Sequence, residues 1–257
     1  ALGIPSRKVH VIQTLMGGAF GSRLCLNPKE IIASILSEKT GAPVRIVNTR
    51  EEEFKYSRIR YPFFVRLKTG VKSDGTLSAR EAKIVVDNGA YHEKGAAVLS
   101  NVALTCAVHY RIQNVRFEGI LVYTNHVYGG AFRGFGNPQI TFAIESQMDE
   151  IASRLKIDPV ELRLRNANET GDKLFTETKI PSCGLKVCIE KAAQAIGWPH
   201  KCHEDEGIGI ACVTHPGGGH RFYNFNAAEA HVEILPGVEV NLYSGASEIG
   251  QGVNETL

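Results

Sequence analysis

Ala131-Phe132-Arg133-Gly134-Phe135-Gly136-Asn137 is the stretch on which the reading of this chain turns. Upstream, Val115 to His126 reads as a strand leading into it. Downstream, Asn137-Pro138 opens a helix whose apolar positions Ile140, Ala143, Ile144, Ile151 and Leu155 keep helical spacing to about Lys156. Glycines in such a link remove side-chain bulk and let a large flat ligand come close to the backbone. Arg133 adds a planar fork of donors suited to phosphate or another oxyanion. An aromatic beside it offers a face on which a ring can stack. Together these features describe a site for a large anionic cofactor with a ring substrate next to it.

Two further strings have the same character. Met16-Gly17-Gly18-Ala19-Phe20-Gly21-Ser22-Arg23 lies near the start, and Ser247-Glu248-Ile249-Gly250-Gln251-Gly252-Val253-Asn254 near the end. One such string alone is equally well a glycine-rich turn between strand and helix. Three in one chain, two of them carrying both Phe and Arg, are not explained that way.

The chain between the strings alternates strand and helix. Val9 to Leu15 reads as a strand running into the first string. Asn27-Pro28-Lys29-Glu30 then gives an N-cap, a proline at the first helical position and a glutamate at the third. That helix carries Ile31, Ile32, Ile35 and Leu36 and stops at Gly41. Val44 to Val47 reads as a short buried strand, and Thr49 followed by three glutamates as a short helix. Pro62–Val71 and Leu77–Val86 are strands joined through Asp74-Gly75, a hairpin signal. Gly95 to Ala107 reads as a helix over the core, Asp158-Pro159-Val160-Glu161 caps another helix to about Asn166, and Ser182 to Ile196 is amphipathic.

Residues 201–206 are polar and read as a linker. Beyond them Gly207–Thr214, Ala227–Leu235 and Val238–Tyr243 read as strands, the last two joined at Pro236-Gly237, and a helix is expected to begin after the last glycine string. The fold class is α+β: one domain over 1–200 and the opening of a second over 207–257.

Composition bounds the function. A chain of 257 residues can bury one large core or two, and 43% hydrophobic with 22% charged residues is an ordinary globular mix. A net charge of +2 gives no electrostatic case for nucleic acid or a membrane surface. No apolar run reaches the length of a membrane span, and the first residues carry no signal-peptide apolar region, so a cytoplasmic protein is expected. The six cysteines, at 25, 106, 183, 188, 202 and 212, form no CxxC pair. Spacing therefore supports neither zinc nor an iron–sulfur cluster. The histidines show no ligand spacing and read as structural or surface residues.

The three strings, GGAFGSR at 17–23, GAFRGFGNPQ at 130–139 and GASEIGQGVN at 245–254, resemble in order the strings of the molybdopterin-binding large subunit of the xanthine oxidase (molybdenum hydroxylase) family. The resemblance runs essentially from end to end and corresponds to the middle portion of that subunit. It implies the molybdenum-cofactor-binding fold of aldehyde oxidase and xanthine dehydrogenase, and a molybdenum held by molybdopterin, often as the cytosine dinucleotide. The protein then supplies no direct metal ligand. It also implies iron–sulfur and FAD centres on other domains or subunits.

By the same resemblance Arg133 lies beside the molybdenum centre, and Phe135 stacks on the substrate ring while Phe132 is the core residue of the two. Phe20 and Gly21 pack beside the metal, with Gly18 allowing close approach. Gln251 meets the pterin edge, and Gly250 and Gly252 offer backbone amides to the cofactor. Leu24 stands where the xanthine-oxidising branch has a glutamate against the purine, which weighs against a purine. Pro181-Ser182-Cys183-Gly184-Leu185, with GASEIGQG, is nearer the 4-hydroxybenzoyl-CoA reductase branch.

The implied function is the cofactor-binding portion of an oxidoreductase that hydroxylates, or reductively dehydroxylates, an aromatic or heterocyclic compound or oxidises an aldehyde. The glutamate that acts as general base in the family falls downstream of this chain, so the chain alone is expected to show no turnover, and Glu248 is no substitute for it. Expected partners are the iron–sulfur and FAD subunits and the remainder of the molybdenum subunit. The alternatives are a glycine-rich module for another nucleotide, weakened by the lack of a GxxxxGK[ST] or GxGxxG string, and an assembly fragment that binds partner subunits without turnover. Pro216 to His220 and Tyr223 could line a pocket or form a plain surface loop.

Overall fold

The computed structural model describes residues 3–12, 14–199, 205–215, 227–237 and 239–257. They contain helices α1 (Pro28–Thr40), α2 (Arg50–Tyr56), α3 (Gly95–Thr105), α4 (Asn137–Leu155), α5 (Pro159–Asn166) and α6 (Leu185–Ile196). The strands are β1 (Phe63–Val71), β2 (Leu77–Asp87), β3 (Asn114–Val122), β4 (Ala230–Leu235) and β5 (Glu239–Ser244). The mixture is α+β, as the alternating patterns imply. Compactness groups the chain into two units, Ser57–Pro216 and the pair Ala1–Tyr56 with Gly217–Leu257. This is not the same partition as 1–200 and 207–257.

In the unit Ser57–Pro216, β1 and β2 form the expected hairpin. Thr76 N donates to Asp74 Oδ1 at 2.9 Å across the turn. β2 then pairs with β3 in parallel, from Ala79↔Asn114 to Asp87↔Val122. Parallel neighbours need a crossover, and α3 supplies it. Arg80, Ala82, Ile84 and Val86, alternate residues of β2, are buried on one face. Ile140, Ile144, Met148 and Ala152, one stripe of α4, are buried in the same core with Val98 and Val102 of α3. Each buried Val, Ile or Met among them contributes roughly 1.5–3 kcal/mol on leaving water.

Asp158 caps α5 as its position predicts, Oδ1 accepting from Val160 N at 2.8 Å and Glu161 N at 3.1 Å. Asn166 at the other end of α5 holds the hairpin: its Nδ2 donates to Gly75 O and its Oδ1 accepts from Leu77 N, both at 2.9 Å.

A buried polar knot ties α4 to its surroundings. Glu145 Oε1 accepts from Tyr110 Oη at 2.7 Å, and Oε2 accepts from Arg163 Nε and Cys212 N, both at 2.8 Å. Arg163 Nη2 also reaches Asp149 Oδ1 at 2.8 Å. Burial alone would lower the Arg163 pKa; Glu145 more than offsets it, and the guanidinium sits above its ordinary value. Burial, then the Glu145 charge, hold the Tyr110 hydroxyl well above its own. His109, buried near Arg80, is pushed down to about 4 by desolvation first and by Arg80 second, so it is neutral at pH 7 and structural.

Three expected strands are absent from the described residues. Residues 207–214 form no ladder; side chains of α4 hold two of their backbone groups, Glu145 accepting from Cys212 N and Asn137 Nδ2 donating to Thr214 O at 2.8 Å. Val9–Leu15, apart from Gln13, and Val44–Val47 are irregular and have no strand beside them. The linker expected at 201–206 lies outside the described residues at 201–204, as do Pro216 to His220 and Tyr223; β3 ends at Val122 rather than His126.

In the other unit, α1 opens on the expected box, Asn27 N donating to Glu30 Oε2 at 2.8 Å, and closes on Gly41 at φ 63°. β4 and β5 form an antiparallel pair from Ala230↔Ser244 to Leu235↔Glu239.

Arg163→Met removes one partner of a buried pair and leaves the Glu145 charge uncompensated. A loss of about 3–5 kcal/mol in urea unfolding is expected, against about 1.5–3 kcal/mol for Tyr110→Phe, which removes one donor to the buried carboxylate.

Candidate functional site

Eight residues after β3, the AFRGFG string enters α4 through three successive left-handed residues, Gly134 (φ 92°), Phe135 (φ 48°) and Gly136 (φ 91°). Gly136 is obligatory for a second reason. A Cβ there would lie 2.6 Å from Val102 Cγ2 and 2.9 Å from Val98 Cγ1, so α3 packs against bare backbone. Phe135, the one member with a side chain, carries strain of order 1 kcal/mol in this region.

Several hydrogen bonds hold the turn. Phe135 N donates to Phe132 O at 2.8 Å and Asn137 N to Gly134 O at 2.9 Å. Asn101 Nδ2, from α3, donates to Phe135 O at 2.9 Å, and Arg60 Nη2 donates to Arg133 O at 2.8 Å. The Arg60 guanidinium also lies 4.3 Å from the centroid of the Phe132 ring, a cation–π contact. Arg133 is exposed. Phe132, expected to be the core residue of the two, is instead 50% exposed beneath Arg60, while Phe135 is half-buried with one side against the core. The run of positive φ angles turns the chain between them.

The loops that follow β2 and β3 are stitched together at Asp87. Its Oδ1 accepts from Gly89 N at 2.8 Å and Thr124 Oγ1 at 2.6 Å, and His126 Nδ1 lies 2.6 Å from its Oδ2. Burial disfavours the carboxylate, but these partners outweigh it and hold Asp87 below its ordinary value of 3.8. The AFRGFG string thus begins beyond the carboxyl ends of a parallel strand pair, the usual place for ligands in such sheets.

The first and third strings meet within their own unit. Ala19 N donates to Ile249 O at 3.0 Å. A Cβ on Gly250 (φ 98°) would lie 2.9 Å from Gly18 Cα, so two glycine backbones touch directly. Phe20 is itself left-handed, at φ 38°, and its ring lies over Gly18; Gly21 is at φ 122°. Leu24 is 60% exposed.

Glu248 organises the third string. Its Oε1 accepts from Gly250 N at 2.6 Å and Gly252 N at 3.2 Å, and its Oε2 from Asn254 N at 3.4 Å. Burial alone would raise its pKa; the amides of Gly252, Gly250, Asn254 and Val253 outweigh burial and hold it below the ordinary carboxylate range. The amides of Gly250 and Gly252, expected to face a cofactor, are therefore committed to the nearest anion on the same turn. Gln251 is engaged likewise, its Oε1 accepting from Ile249 N at 2.7 Å and its Nε2 donating to Ser247 O at 3.0 Å.

The first and third strings, within one unit, offer bare backbone to a large flat group. Nothing lies within 4 Å of a Cβ built on Gly17 or Gly252, so both backbones stand open to close approach. Considered by itself, the unit Ser57–Pro216 carries an exposed positive charge at Arg133. Among the described residues, no group of three His, Cys, Asp or Glu side chains is gathered that could hold a metal, and no helix is long and apolar enough to cross a membrane. Arg60, Asn101, Asp87 and Glu248 had no motif to announce them; only Glu248, two residues before Gly250 inside a glycine string, had a position suggestive of an amide acceptor.

Residues 1–167 match the molybdopterin cofactor-binding domain. The chain belongs to that family. The xanthine dehydrogenase molybdenum-binding subunit of Escherichia coli O157:H7, a relative of this family member, is 35% identical over 270 residues, 99% of this chain and 35% of that protein. The nicotinate dehydrogenase large molybdopterin subunit of Eubacterium barkeri is 39% identical over 194 residues, 75% of this chain and 45% of that protein. Among solved structures, aldehyde oxidoreductase from Desulfovibrio gigas superposes with a TM-score of 0.65 at 36% identity, covering 70% of this chain and 20% of that one. The chain thus spans 35% to 45% of the length of these two sequence relatives.

Asp87 gives this family member a pH-dependent contribution of known sign. A carboxylate depressed on folding stabilises fully above its unfolded value, and that contribution is lost as pH falls through the folded one. The stability gap between wild type and Asp87→Asn is therefore expected to be constant above the ordinary value of 3.8 and to close as pH drops further. Urea melts across this range check it; a constant gap at every pH would show that the Asp87 charge contributes nothing.

Proposed function

We propose that this chain forms cofactor- and substrate-facing walls of a molybdopterin-dependent oxidoreductase acting on an aromatic or heterocyclic compound or an aldehyde. The reaction is hydroxylation, its reductive reverse, or aldehyde oxidation. The carrying observation is the AFRGFG loop: an exposed arginine beside an aromatic, fixed in a left-handed turn beyond the carboxyl ends of β2 and β3. The match to the molybdopterin cofactor-binding domain and the resemblance to xanthine, nicotinate and aldehyde-oxidising relatives support it.

The molybdenum cofactor, when bound, supplies the two-electron redox chemistry. In this reading Gly17, Gly18 and Gly252 let the flat pterin approach the backbone, and Phe20 and Gly21 shape the wall beside it. Gln251 and the Gly250 backbone contribute from the third string by shape, their polar groups being held within its own turn. Arg133 balances negative charge at the reacting end. Phe135 presents ring edge or face to an aromatic substrate, and Leu24 makes an apolar wall that a polar purine would not favour. The general-base glutamate, the iron–sulfur centres and FAD come from protein outside this chain.

Metal and pterin analysis of the full-length protein, matured with its partner subunits, tests the reading. Molybdenum and pterin in equal amounts are expected. Arg133→Gln is expected to lower kcat/KM on the order of a hundredfold, and Phe135→Ala to raise KM for an aromatic substrate about tenfold. The present chain alone, given cofactor and an artificial electron acceptor, is expected to show no turnover. A matured complex holding neither molybdenum nor pterin would leave the assembly reading in its place.

A further inference from the structure

Two side chains outside all three strings converge on the AFRGFG loop, and both do so through its backbone. Asn101 is 7% exposed in the middle of α3, and its Nδ2 donates to Phe135 O at 2.9 Å. Arg60 precedes β1. It donates from Nη2 to Arg133 O at 2.8 Å, reaches Gln139 Oε1 from Nη1 at 3.3 Å, and covers the Phe132 ring at 4.3 Å. Gln139 in turn donates to Tyr61 O at 3.0 Å. The carbonyls chosen are those of the two residues whose side chains matter.

We infer that Asn101 and Arg60 are positioning residues for Phe135 and Arg133. This rests on the reading of those two residues as facing substrate and cofactor. A residue in the left-handed region relaxes unless its surroundings over-determine it. The Phe135 carbonyl is pinned by Asn101 while its N–H is pinned by Phe132 O at 2.8 Å. The peptide on both sides of the Phe135 side chain is thus fixed, and with it the direction in which Cβ leaves the backbone. Arg60 fixes the Arg133 carbonyl, and its hold on Phe132 keeps the residue before Arg133 from rotating. Displacements of about 1 Å at a reacting group can cost a hundredfold in rate, which is the scale on which such supports act.

Asn101→Asp keeps size but turns oxygen toward the Phe135 carbonyl; Arg60→Met keeps stem length and removes the fork. Hydrogen exchange on the full-length protein gives a readout independent of cofactor. The peptide covering 131–137 is expected to exchange tenfold or more faster in both variants, while residues 79–86, laddered on both sides, stay unchanged. Unchanged loop exchange overturns the inference.

In the matured protein, with nicotinate and benzaldehyde as probe substrates, Asn101→Asp is expected to raise KM fivefold or more with kcat within twofold, and Arg60→Met to lower kcat. A uniform fall in kcat with KM unmoved in both variants would reduce the pair to general supports of the fold and overturns it as well. Phe135→Ala separates the two levels. If that variant leaves KM unmoved, the assignment of Phe135 to substrate fails, and the exchange result still judges whether Asn101 and Arg60 hold the loop.

Discussion

Two parallel strands cannot be joined by a tight turn, and the pairing of β2 with β3 commits the unit Ser57–Pro216 to everything around it. The crossover must run through a helix, and α3 brings Val98, Asn101 and Val102 to the place where the chain passes from β3 to α4. The same constraint sets the ends of β2 and β3 side by side. The loops that follow them then need a common anchor, and Asp87 gathers Gly89, Thr124 and His126. The apolar stripe of α4 covers the sheet and places the helix start at Gly136. The AFRGFG turn is therefore enclosed on two sides by elements that exist because the strands are parallel.

The two units manage charge differently. Around α4, Glu145 is buried, and its cost is offset by three donors from separate parts of the chain, which makes it a point of convergence rather than a surface bridge. In the glycine string at 247–254, Glu248 accepts from amides within six residues of itself. One carboxylate holds distant segments together; the other shapes a single turn.

Much of this was legible in residue order. The box at Asn27 and Glu30, the cap at Asp158, the hairpin at Asp74-Gly75 and the helical stripe of α4 are local signals, and each became the element it predicts. Apolar runs without such punctuation were less informative. Residues 207–214 have a strand-like pattern, but pairing depends on a neighbour, and side chains of α4 hold two of their backbone groups. The exposure of Phe132 could not be read from its identity, because three left-handed residues turn the chain just after it. Arg60 and Asn101 lie 73 and 34 residues from the atoms they hold and belong to no string.

The contact between Glu248 and its own amides has a consequence for how a ligand is received. A row of backbone N–H groups without an acceptor would fold back on water or collapse until an anion arrived, and the binding step would have to order it. Here the sequence carries its own counter-charge, and Glu248 itself sets the curvature of the turn. The bare backbone at Gly17 and Gly252 stays uncovered, so whatever approaches there meets main chain whose curvature is already set by Glu248.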